Sequence, residues 1–456
     1  MNSIMIFAGS YTSRFLRMNK EYLKSKIIYF FILLAAFLFI GTINFSCEKV
    51  QKENILELDS IPLNKILDQY VRDGIYPFIF SLIKDSNGKI IYEYSAINKK
   101  LLPDISIQED TWMRIWSMSK LVTISIAMDL IEDGYISMEE PVAKYIPEFK
   151  DLKVAVNTDG VSLGKLKAGE SACPIFLSKN DSILKIKNLF NHSAGFYYAL
   201  TGFECLDSLI KKVDVPNQKN SDSLIYRLSK IPLIQHSGEM YRYGLNTTVL
   251  GLVLERATGS SLNDLVIKKI TRPYKIKGLK YSIPQGVSLI PCHTGRDGYL
   301  RQALAGELDI FGKSVPEYSA DKNLFLGGEG MLGTANGYID FMRLLFFHSS
   351  KPNNEFLTKE SINQMTSKPP GEENDDGYQT GYAFYLTSKT NPYEKNILRV
   401  GGYEGTTCWV DREHKLIGTL FTQANETSDK IGLGTKMHDD FKKELRRQLA
   451  NYEQTF

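Results

Sequence analysis

Ser117 and Lys120 lie three residues apart at the start of the apolar stretch "SMSKLVTISIAMDLIEDG", which ends at Gly134. A serine hydroxyl becomes a nucleophile when a neighbouring base removes its proton, and a lysine amine can be that base when burial lowers its pKa. Residues three apart on a helix share one face, and the N–H groups at a helix start stabilise an oxyanion. This spacing predicts Ser117 as nucleophile and Lys120 as its general base.

The S-x-x-K pattern is weak by itself, because an N-cap serine followed by an exposed lysine is common. It also occurs in this chain at Ser81, Ser86, Ser162, Ser182 and Ser208, among other positions. Ser117 differs because the residues after it are apolar around almost the whole helix circumference, which predicts a buried helix that Gly134 ends. This context favours a catalytic Ser117 over an ordinary helix start.

The elements that must position this helix come from both ends of the chain. A helix predicted at about residues 56–74 precedes the strands "PFIFSLIKD" and "KIIYEYSAI", which the turn "SNG" joins. After a helical middle, further strands are predicted in "TGYAFYLTS", "LRVGG", "TTCWVDRE" and "LIGTLFTQ". This order predicts an α/β (α+β) fold, an antiparallel sheet flanked by helices, with a helical subdomain of roughly residues 140–330 inserted.

The size and charge of the chain exclude some classes of protein. Its 456 residues are 43% hydrophobic, which is enough for a large core, and 55 basic residues nearly balance 52 acidic ones. No block of lysine and arginine marks the body of the chain, so we do not expect nucleic acid as a partner.

Residues 1–46 have the pattern of an export signal. Lys20, Lys24 and Lys26 precede the run "IIYFFILLAAFLFIGTINFSC", and Met18 is an alternative start site. Cys47, at the end of the run, occupies the place of the lipidated cysteine of bacterial lipoproteins. The run is also about 20 residues long, enough for an uncleaved membrane anchor. Both interpretations predict a membrane-anchored, extracytoplasmic protein, in the periplasm or at the cell surface.

The polar segment after the export signal, residues 47–59, is predicted to be a tether between the membrane and a domain of residues 60–456. No internal repeat and no low-complexity linker divides this domain. We therefore expect one folded unit that carries the catalytic residues.

The four cysteines of the body are scattered and form no C-x-x-C pair, and no histidine lies at zinc-ligand spacing. A structural metal is therefore not expected, and the predicted chemistry needs no cofactor. One or two disulfides are compatible with an oxidising compartment, and four small buried side chains are an equally good interpretation. These cysteines are Cys173, Cys205, Cys292 and Cys408.

The stretch "SMSKLVTISIAMDLIEDGYISMEEPVAKYIPEF" resembles the nucleophile helix of the serine β-lactamase and penicillin-binding-protein superfamily, specifically its class C-like branch of esterases, peptidases and β-lactamases. Four more blocks follow in the family's order: "LFNHSAGF", "YGLNTTVLGLVLERATG", "GGEGMLGTANGYIDFMRLL" and "GGYEGTTCWVDRE". The resemblance spans roughly residues 60–445 and implies the β-lactamase/transpeptidase-like fold.

The resemblance also implies a catalytic set. Ser117 matches the acylated serine, Lys120 its general base, and Tyr243 the tyrosine that passes a proton to the leaving group. Leu245 stands where β-lactamases carry an asparagine that contacts the substrate amide. Tyr241 is an alternative to Tyr243, because residues two apart on a strand point the same way.

The third family element, Lys-Thr-Gly or His-x-Gly on a strand, is matched best by "RVGGYEG". Arg399 is then a candidate contact for a substrate carboxylate, and Gly401 lets the backbone approach the acyl group. In the alternative register, shifted by one residue, Arg399 only flanks the strand. The N–H of Gly402 or Tyr403 is expected to complete the oxyanion hole. The triplet at residues 293–295, "HTG", is interpreted as a loop coincidence.

Two further motifs are interpreted as structural. His192 is a candidate general base by residue type, but in the block "LFNHSAGF" the family resemblance favours a hydrogen-bonded structural histidine. The block "GGEGMLG" lacks the Lys-Ser/Thr of a phosphate-binding loop and is interpreted as a turn.

These patterns predict an exported, esterase-like serine hydrolase that acts on a small-molecule or peptide substrate through an acyl-enzyme on Ser117. The missing asparagine, lysine and threonine of the family motifs favour an esterase over a β-lactamase. Two alternatives stay open: a D-amino-acid peptidase or β-lactamase acting on cell-wall-like substrates, and a non-catalytic binding protein of this fold.

Overall fold

The structure is a computed structural model. It describes residues 56–167, 173–308, 310–311, 318–347, 356–367, 378–388, 397–429 and 435–454. The predicted export signal or anchor, and Cys47 with it, lie outside the described residues. Among the helices of the described ranges, none has the length and apolar character that crossing a membrane requires.

One antiparallel sheet is built from both ends of the described chain. Its seven strands lie in the order β10-β11-β12-β13-β14-β1-β2. Strands β1 (Phe78–Asp85) and β2 (Ile90–Ile97) come from the N-terminal side, and β1 pairs with β14 (Leu416–Phe421) from the C-terminal side. The remaining strands are β10 (Tyr378–Thr380), β11 (Tyr385–Ser388), β12 (Ile397–Gly401) and β13 (Thr407–Asp411). The predicted fold class is confirmed.

Helices cover both faces of this sheet. The outer face carries α1 (Ser60–Arg72) and α10 (Lys436–Gln454), which contact each other, and Tyr92 of β2 packs on Phe441 of α10 with ring centroids 5.8 Å apart. The inner face carries α2 (Ser119–Glu132) and α8 (Ala335–Phe346), whose apolar side chains join those of β1, β13 and β14 in the main core.

Helix α2 is buried around nearly its whole circumference, which agrees with its apolar sequence. Its buried residues include Leu121, Val122, Ile124, Ile126, Met128 and Leu130. Gly134 ends the helix with a φ of 75°, and Tyr135 donates its N–H back to the carbonyl of Leu130 at 2.9 Å. The helix that follows the predicted nucleophile is thereby fixed inside the protein.

The rest of the described chain between the two parts of the sheet is mainly helical. Its helices are α3 (Ile186–Phe190), α4 (Glu204–Val213), α5 (Ser221–Leu228), α6 (Asn246–Thr258), α7 (Leu262–Val266) and α9 (Lys359–Thr366). Short strands also lie in this part of the chain: β3 (Met113–Arg114), β4 (Lys153–Val156), β5 (Phe176–Lys179), β6 (Leu279–Lys280), β7 (His293–Thr294), β8 (Arg301–Gln302) and β9 (Leu332–Gly333). One more short strand, β15 (Ala424–Asn425), follows β14 and pairs with β7. Helix α6 contacts α2.

The four cysteines of the body do not share one state. Cys173 and Cys205 form a disulfide, whereas Cys292 and Cys408 are free thiols. The disulfide ties the segment after β4 to helix α4.

Candidate active site

Ser117 lies in a tight turn, Trp116–Met118, that leads directly into α2. Trp116 has a φ of 44°, a left-handed conformation that costs energy for a residue with a large side chain. The turn is held from both sides: Ile115 donates its N–H to the carbonyl of Met331 at 3.2 Å, and the Trp116 ring lies 5.5 Å from that of Tyr403. Strain at the residue before a nucleophile is typical of a functional turn.

The ammonium nitrogen of Lys120 lies among four oxygen atoms. Its Nζ is 3.2 Å from Ser117 Oγ, 3.0 Å from the Tyr198 hydroxyl, 2.9 Å from the Gly328 carbonyl and 3.2 Å from Glu329 Oε1. The Lys120 side chain is 3% exposed and the Glu329 side chain 0% exposed, so this is a fully buried ion pair. The predicted neighbour of Ser117 is therefore present, with a carboxylate beside it.

The charge state of Lys120 differs from the expectation. Burial disfavours its ammonium form, but the neighbouring Tyr243 and the Glu329 carboxylate outweigh burial, and the pKa of Lys120 is raised above its usual value. A resting neutral amine was expected from burial alone. That expectation is corrected, because the sequence did not reveal the buried carboxylate.

Tyr243 completes a set of three side chains around the nucleophile. Its hydroxyl lies 2.7 Å from Ser117 Oγ, and Lys120 Nζ lies 4.9 Å from the centre of its ring. The ring of His192 stacks on Tyr243 with ring centroids 4.8 Å apart, and Tyr241 packs edge-on against the same histidine ring at 5.8 Å. Of the two tyrosines considered, Tyr243 is the one that reaches Ser117.

His192 supports this arrangement as a neutral ring. Burial, together with the charge of Lys120, lowers the pKa of His192 to about 3. The Asn246 amide lies 3.1 Å from His192 Nδ1, and Arg242 donates its N–H to the His192 carbonyl at 2.8 Å. Leu245, in the place of the family's asparagine, is buried at the start of α6.

Strand β12 ends against the nucleophile turn. A Cβ on Gly402 would lie 2.4 Å from the Ile115 carbonyl oxygen, so only glycine allows this close approach. Gly402 donates its own N–H to the Thr406 carbonyl at 2.7 Å. Within the described part of the chain, the N–H groups of Ser117 and Tyr403 donate to no other residue. Of the two candidates on this strand, Gly402 and Tyr403, it is therefore the N–H of Tyr403 that is available to an oxyanion.

Arg399 does not lie at this site. Side chains alternate along a strand, and its neighbours Leu398 and Val400 face the core that contains α2. Arg399 therefore faces the outer side of the sheet, where burial, Lys442 and Arg399 together hold the pKa of His438 well below its usual value. The interpretation of Arg399 as a contact for a substrate carboxylate is corrected.

Comparison with known proteins places this geometry in a family. The family model Beta-lactamase matches residues 86–439. The chain belongs to the Beta-lactamase family. The family resemblance predicted from the five sequence blocks is confirmed.

The relatives within the Beta-lactamase family include enzymes. Esterase EstB of Burkholderia gladioli is 23% identical over 381 residues, which are 79% of this chain and 89% of the esterase. Protein Rv1367c of Mycobacterium tuberculosis strain H37Rv is 24% identical over 322 residues, 67% of this chain and 73% of that protein. The structure of EstCE1, described as a hydrolase with promiscuous acyltransferase activity, matches with a TM-score of 0.66 at 17% identity and covers 84% of this chain and 97% of its own. The protein is an enzyme of this serine hydrolase family.

Glu329 is the site residue that sequence reasoning missed. It lies in the block "GGEGMLG", which was interpreted only as a turn. A single charged residue between glycines inside an otherwise apolar block is a signal of a buried charge, and a buried charge needs a partner. That partner is Lys120.

The described residues contain one group of three side chains with metal-ligand atoms within 4.8 Å of one another, Asp411, Glu413 and His414. Asp411 is already engaged by His414 at 2.8 Å and by Arg446 at 3.3 Å. The group follows the end of β13 that is remote from Tyr403, so it takes no part in the candidate site. The triplet at residues 293–295 is also separate, because His293 and Thr294 form β7 in a different small sheet.

Proposed function

We propose that this protein is an exported serine esterase that forms an acyl-enzyme on Ser117. The observation that carries the proposal is the position of Ser117 Oγ, 2.7 Å from the Tyr243 hydroxyl and 3.2 Å from Lys120 Nζ. A hydroxyl between a tyrosine oxygen and a lysine ammonium has a proton acceptor at hand when the tyrosine is a phenolate, and the ammonium supplies the positive charge that stabilises this form.

The contacts support a division of roles. Tyr243, acting as a phenolate paired with the Lys120 ammonium, takes the proton of Ser117 as Oγ bonds to the carbonyl carbon, and the ammonium stabilises the negative charge that develops on the reacting oxygen atoms. The N–H groups of Ser117 and Tyr403 bind the carbonyl oxygen of the tetrahedral intermediate. Tyr243 then returns the proton to the departing alcohol, and a water molecule, activated in the same way, releases the acid from Ser117.

Three observations favour esters of uncharged acids over carboxylated peptides and β-lactams. Arg399, the candidate carboxylate contact, faces away from the site. Lys120 beside Ser117 and Arg114 on β3 are each paired with a buried carboxylate, at 3.2 Å from Glu329 and 2.7 Å from Glu404. A leucine also replaces the asparagine that β-lactamases use for the substrate amide.

The test combines an active-site label with a panel of substrates. We expect a fluorophosphonate to add to Ser117 in the intact protein, detected by mass spectrometry, and the adduct to be absent in Ser117→Ala. The same preparation should hydrolyse p-nitrophenyl butyrate, and Ser117→Ala should lose this activity.

Different results identify the alternatives. Faster turnover of a D-alanyl-D-alanine peptide or of a chromogenic cephalosporin would favour the peptidase or β-lactamase. Absence of any adduct on Ser117 in folded protein would favour the non-catalytic binding protein.

The proposal of export is supported by the sequence before Cys47 and by the Cys173–Cys205 disulfide, because structural disulfides persist mainly outside the cytoplasm. It places the enzyme at the membrane as a lipoprotein or through an uncleaved helix anchor, with no nucleic acid as a partner.

A further inference from the structure

The carboxylate of Glu329 is fully buried beneath the nucleophile. Its Oε1 lies 3.2 Å from Lys120 Nζ and accepts a short hydrogen bond from the Tyr198 hydroxyl. Its Oε2 accepts a hydrogen bond of 2.5 Å from Thr248 on α6. A carboxylate with no exposed surface is stable only when such partners satisfy both oxygens, so Glu329 is built into the site.

Three of the four oxygen atoms around Lys120 Nζ accept from it and use the three hydrogens of an ammonium, and the fourth, Ser117 Oγ at 3.2 Å, shares one of these hydrogens. The Gly328 carbonyl and Glu329 Oε1 can only accept, and the Tyr198 hydroxyl donates its own hydrogen to Glu329, so its oxygen accepts from Lys120. A neutral amine has only two N–H groups and would leave one of these acceptors facing a lone pair. The geometry therefore matches the charged form of Lys120.

We propose that Glu329 is a positioning residue that holds Lys120 in its ammonium form beside Ser117 and Tyr243. This inference rests on the proposed function, because it assigns the charge that stabilises the attacking oxygen. Glu329 acts through Lys120 and does not touch the reacting atoms. Without the carboxylate, only Tyr243 would oppose the effect of burial on the pKa of Lys120, so the ammonium form would be held less strongly.

Several other titratable groups face this pair from the surrounding elements. Tyr198, Tyr243 and His192 face Lys120, and Tyr198, Tyr281 and Tyr318 lie near Glu329. The pKa values of Tyr198, Tyr281 and Tyr318 are raised by burial first, and that of His192 is lowered by burial, so these four side chains stay uncharged at neutral pH. Glu329 is thus the buried anion in contact with Lys120.

The experiment measures the rate of fluorophosphonate labelling of Ser117 from about pH 6 to about pH 11. In the wild-type protein the pKa of Lys120 is raised, so its ammonium persists as the pH rises. The labelling rate should therefore not fall until the most alkaline conditions. In Glu329→Gln the ammonium loses its partner, and a fall in rate should begin about 1 to 3 pH units lower. Glu329→Asp keeps a carboxylate, so its fall in rate should begin at a pH between that of Glu329→Gln and that of the wild type.

The matched control is Glu404→Gln, which removes the carboxylate that accepts from Arg114 Nε at 2.7 Å. Arginine does not titrate in this range, so that variant should show no new alkaline fall whatever its absolute rate. If Glu329→Gln does not fold, Glu329→Asp is compared with the wild type, and its fall should begin at a lower pH because the shorter side chain sits farther from Lys120.

The possible failures are distinguishable. A wild-type protein that forms no Ser117 adduct overturns the proposed function and this inference with it. If the wild type is labelled and the folded Glu329 variant shows the same pH profile of the labelling rate, the inference alone is overturned. A variant whose rate rises at neutral pH also overturns it, because the neutral amine of Lys120 would then be the better form.

Discussion

Tyr243 is half-exposed, unlike the other side chains that meet at Ser117. It is 40% exposed, whereas Lys120 is 2% exposed. Its position depends on the stacked, neutral ring of His192 on one side and on the Lys120 ammonium on the other. Exposure lets its hydroxyl exchange protons with a substrate, and the two contacts keep it directed at Ser117.

Replacement of Tyr243 by phenylalanine tests this role at the residue scale. Tyr243→Phe keeps the ring and its stack on His192 but removes the proton acceptor of Ser117. We expect hydrolysis of p-nitrophenyl butyrate to fall by about 100- to 10,000-fold, the usual contribution of a general acid–base group. The thermal midpoint should change little, because the hydroxyl contributes no buried packing.

The comparison variant is Tyr241→Phe, whose ring packs on His192 rather than reaching Ser117. It should keep far more activity than Tyr243→Phe. Equal losses in both variants would mean that the tyrosines act by supporting His192 and not by proton transfer.

The residues of the site could be predicted from sequence only where a motif names them. The motifs selected Ser117, Lys120 and Tyr243, and the structure brings the side chains of Lys120 and Tyr243 to the hydroxyl of Ser117. The catalytic roles of the three residues stay predictions. Arg399 was misplaced because a shift of one residue along a strand moves a side chain to the other face. Glu329 was missed because burial is set by the whole fold, not by its local sequence.

At the scale of elements, the site depends on how closely β12 approaches the turn before α2. Gly402 is the contact point, since a side chain there would meet the Ile115 carbonyl at 2.4 Å and Thr406 Oγ1 at 2.3 Å. Tyr403 follows this contact directly, and its ring packs against that of Trp116 at 5.5 Å. The proposed oxyanion hole therefore depends on contact between these two elements.

Gly402→Ala tests this contact. The added methyl group must push β12 away from Ile115, so we expect unfolding to become easier by about 1 to 3 kcal/mol. Labelling of Ser117 should slow by more than the loss of stability alone explains, because the N–H groups of Ser117 and Tyr403 move apart. Thermal unfolding and the labelling rate are measured on the same sample.

Gly286→Asn serves as the control, because this glycine has a φ of 78°, which asparagine tolerates, and nothing lies within 4 Å of its Cβ position. Its labelling rate should equal that of the wild type. A Gly402→Ala protein that also labels at the wild-type rate would show that the approach of β12 is not needed for catalysis.

At the scale of the whole molecule, the predicted sheet from both chain ends is the sheet that the structure shows. Alternating and apolar strand patterns at the two ends were strong enough to predict it, as was the buried helix between them. The small sheets were not predicted, because strands of two residues, such as β7 and β9, carry no periodic pattern. Their pairing is a product of tertiary contacts.

The proposed export is tested on protein purified from its native envelope. We expect the mature chain to begin at Cys47 with a mass that includes attached lipid, and Cys47→Ala to abolish that mass. Peptide mapping without reductant should recover Cys173 linked to Cys205 and Cys408 as a free thiol. A full-length N-terminus would favour the uncleaved anchor, and reduced Cys173 and Cys205 would argue against an oxidising compartment.

The pairing of β1 with β14 has a consequence for synthesis. A ribosome makes β1 before the whole helical middle of the chain, but its partner, Leu416–Phe421, emerges only after that middle. Until then one side of β1 presents unpaired backbone groups, which are a template for association with other chains. Truncation by a premature stop codon before β14 therefore leaves a fragment that is prone to aggregate and not a smaller enzyme.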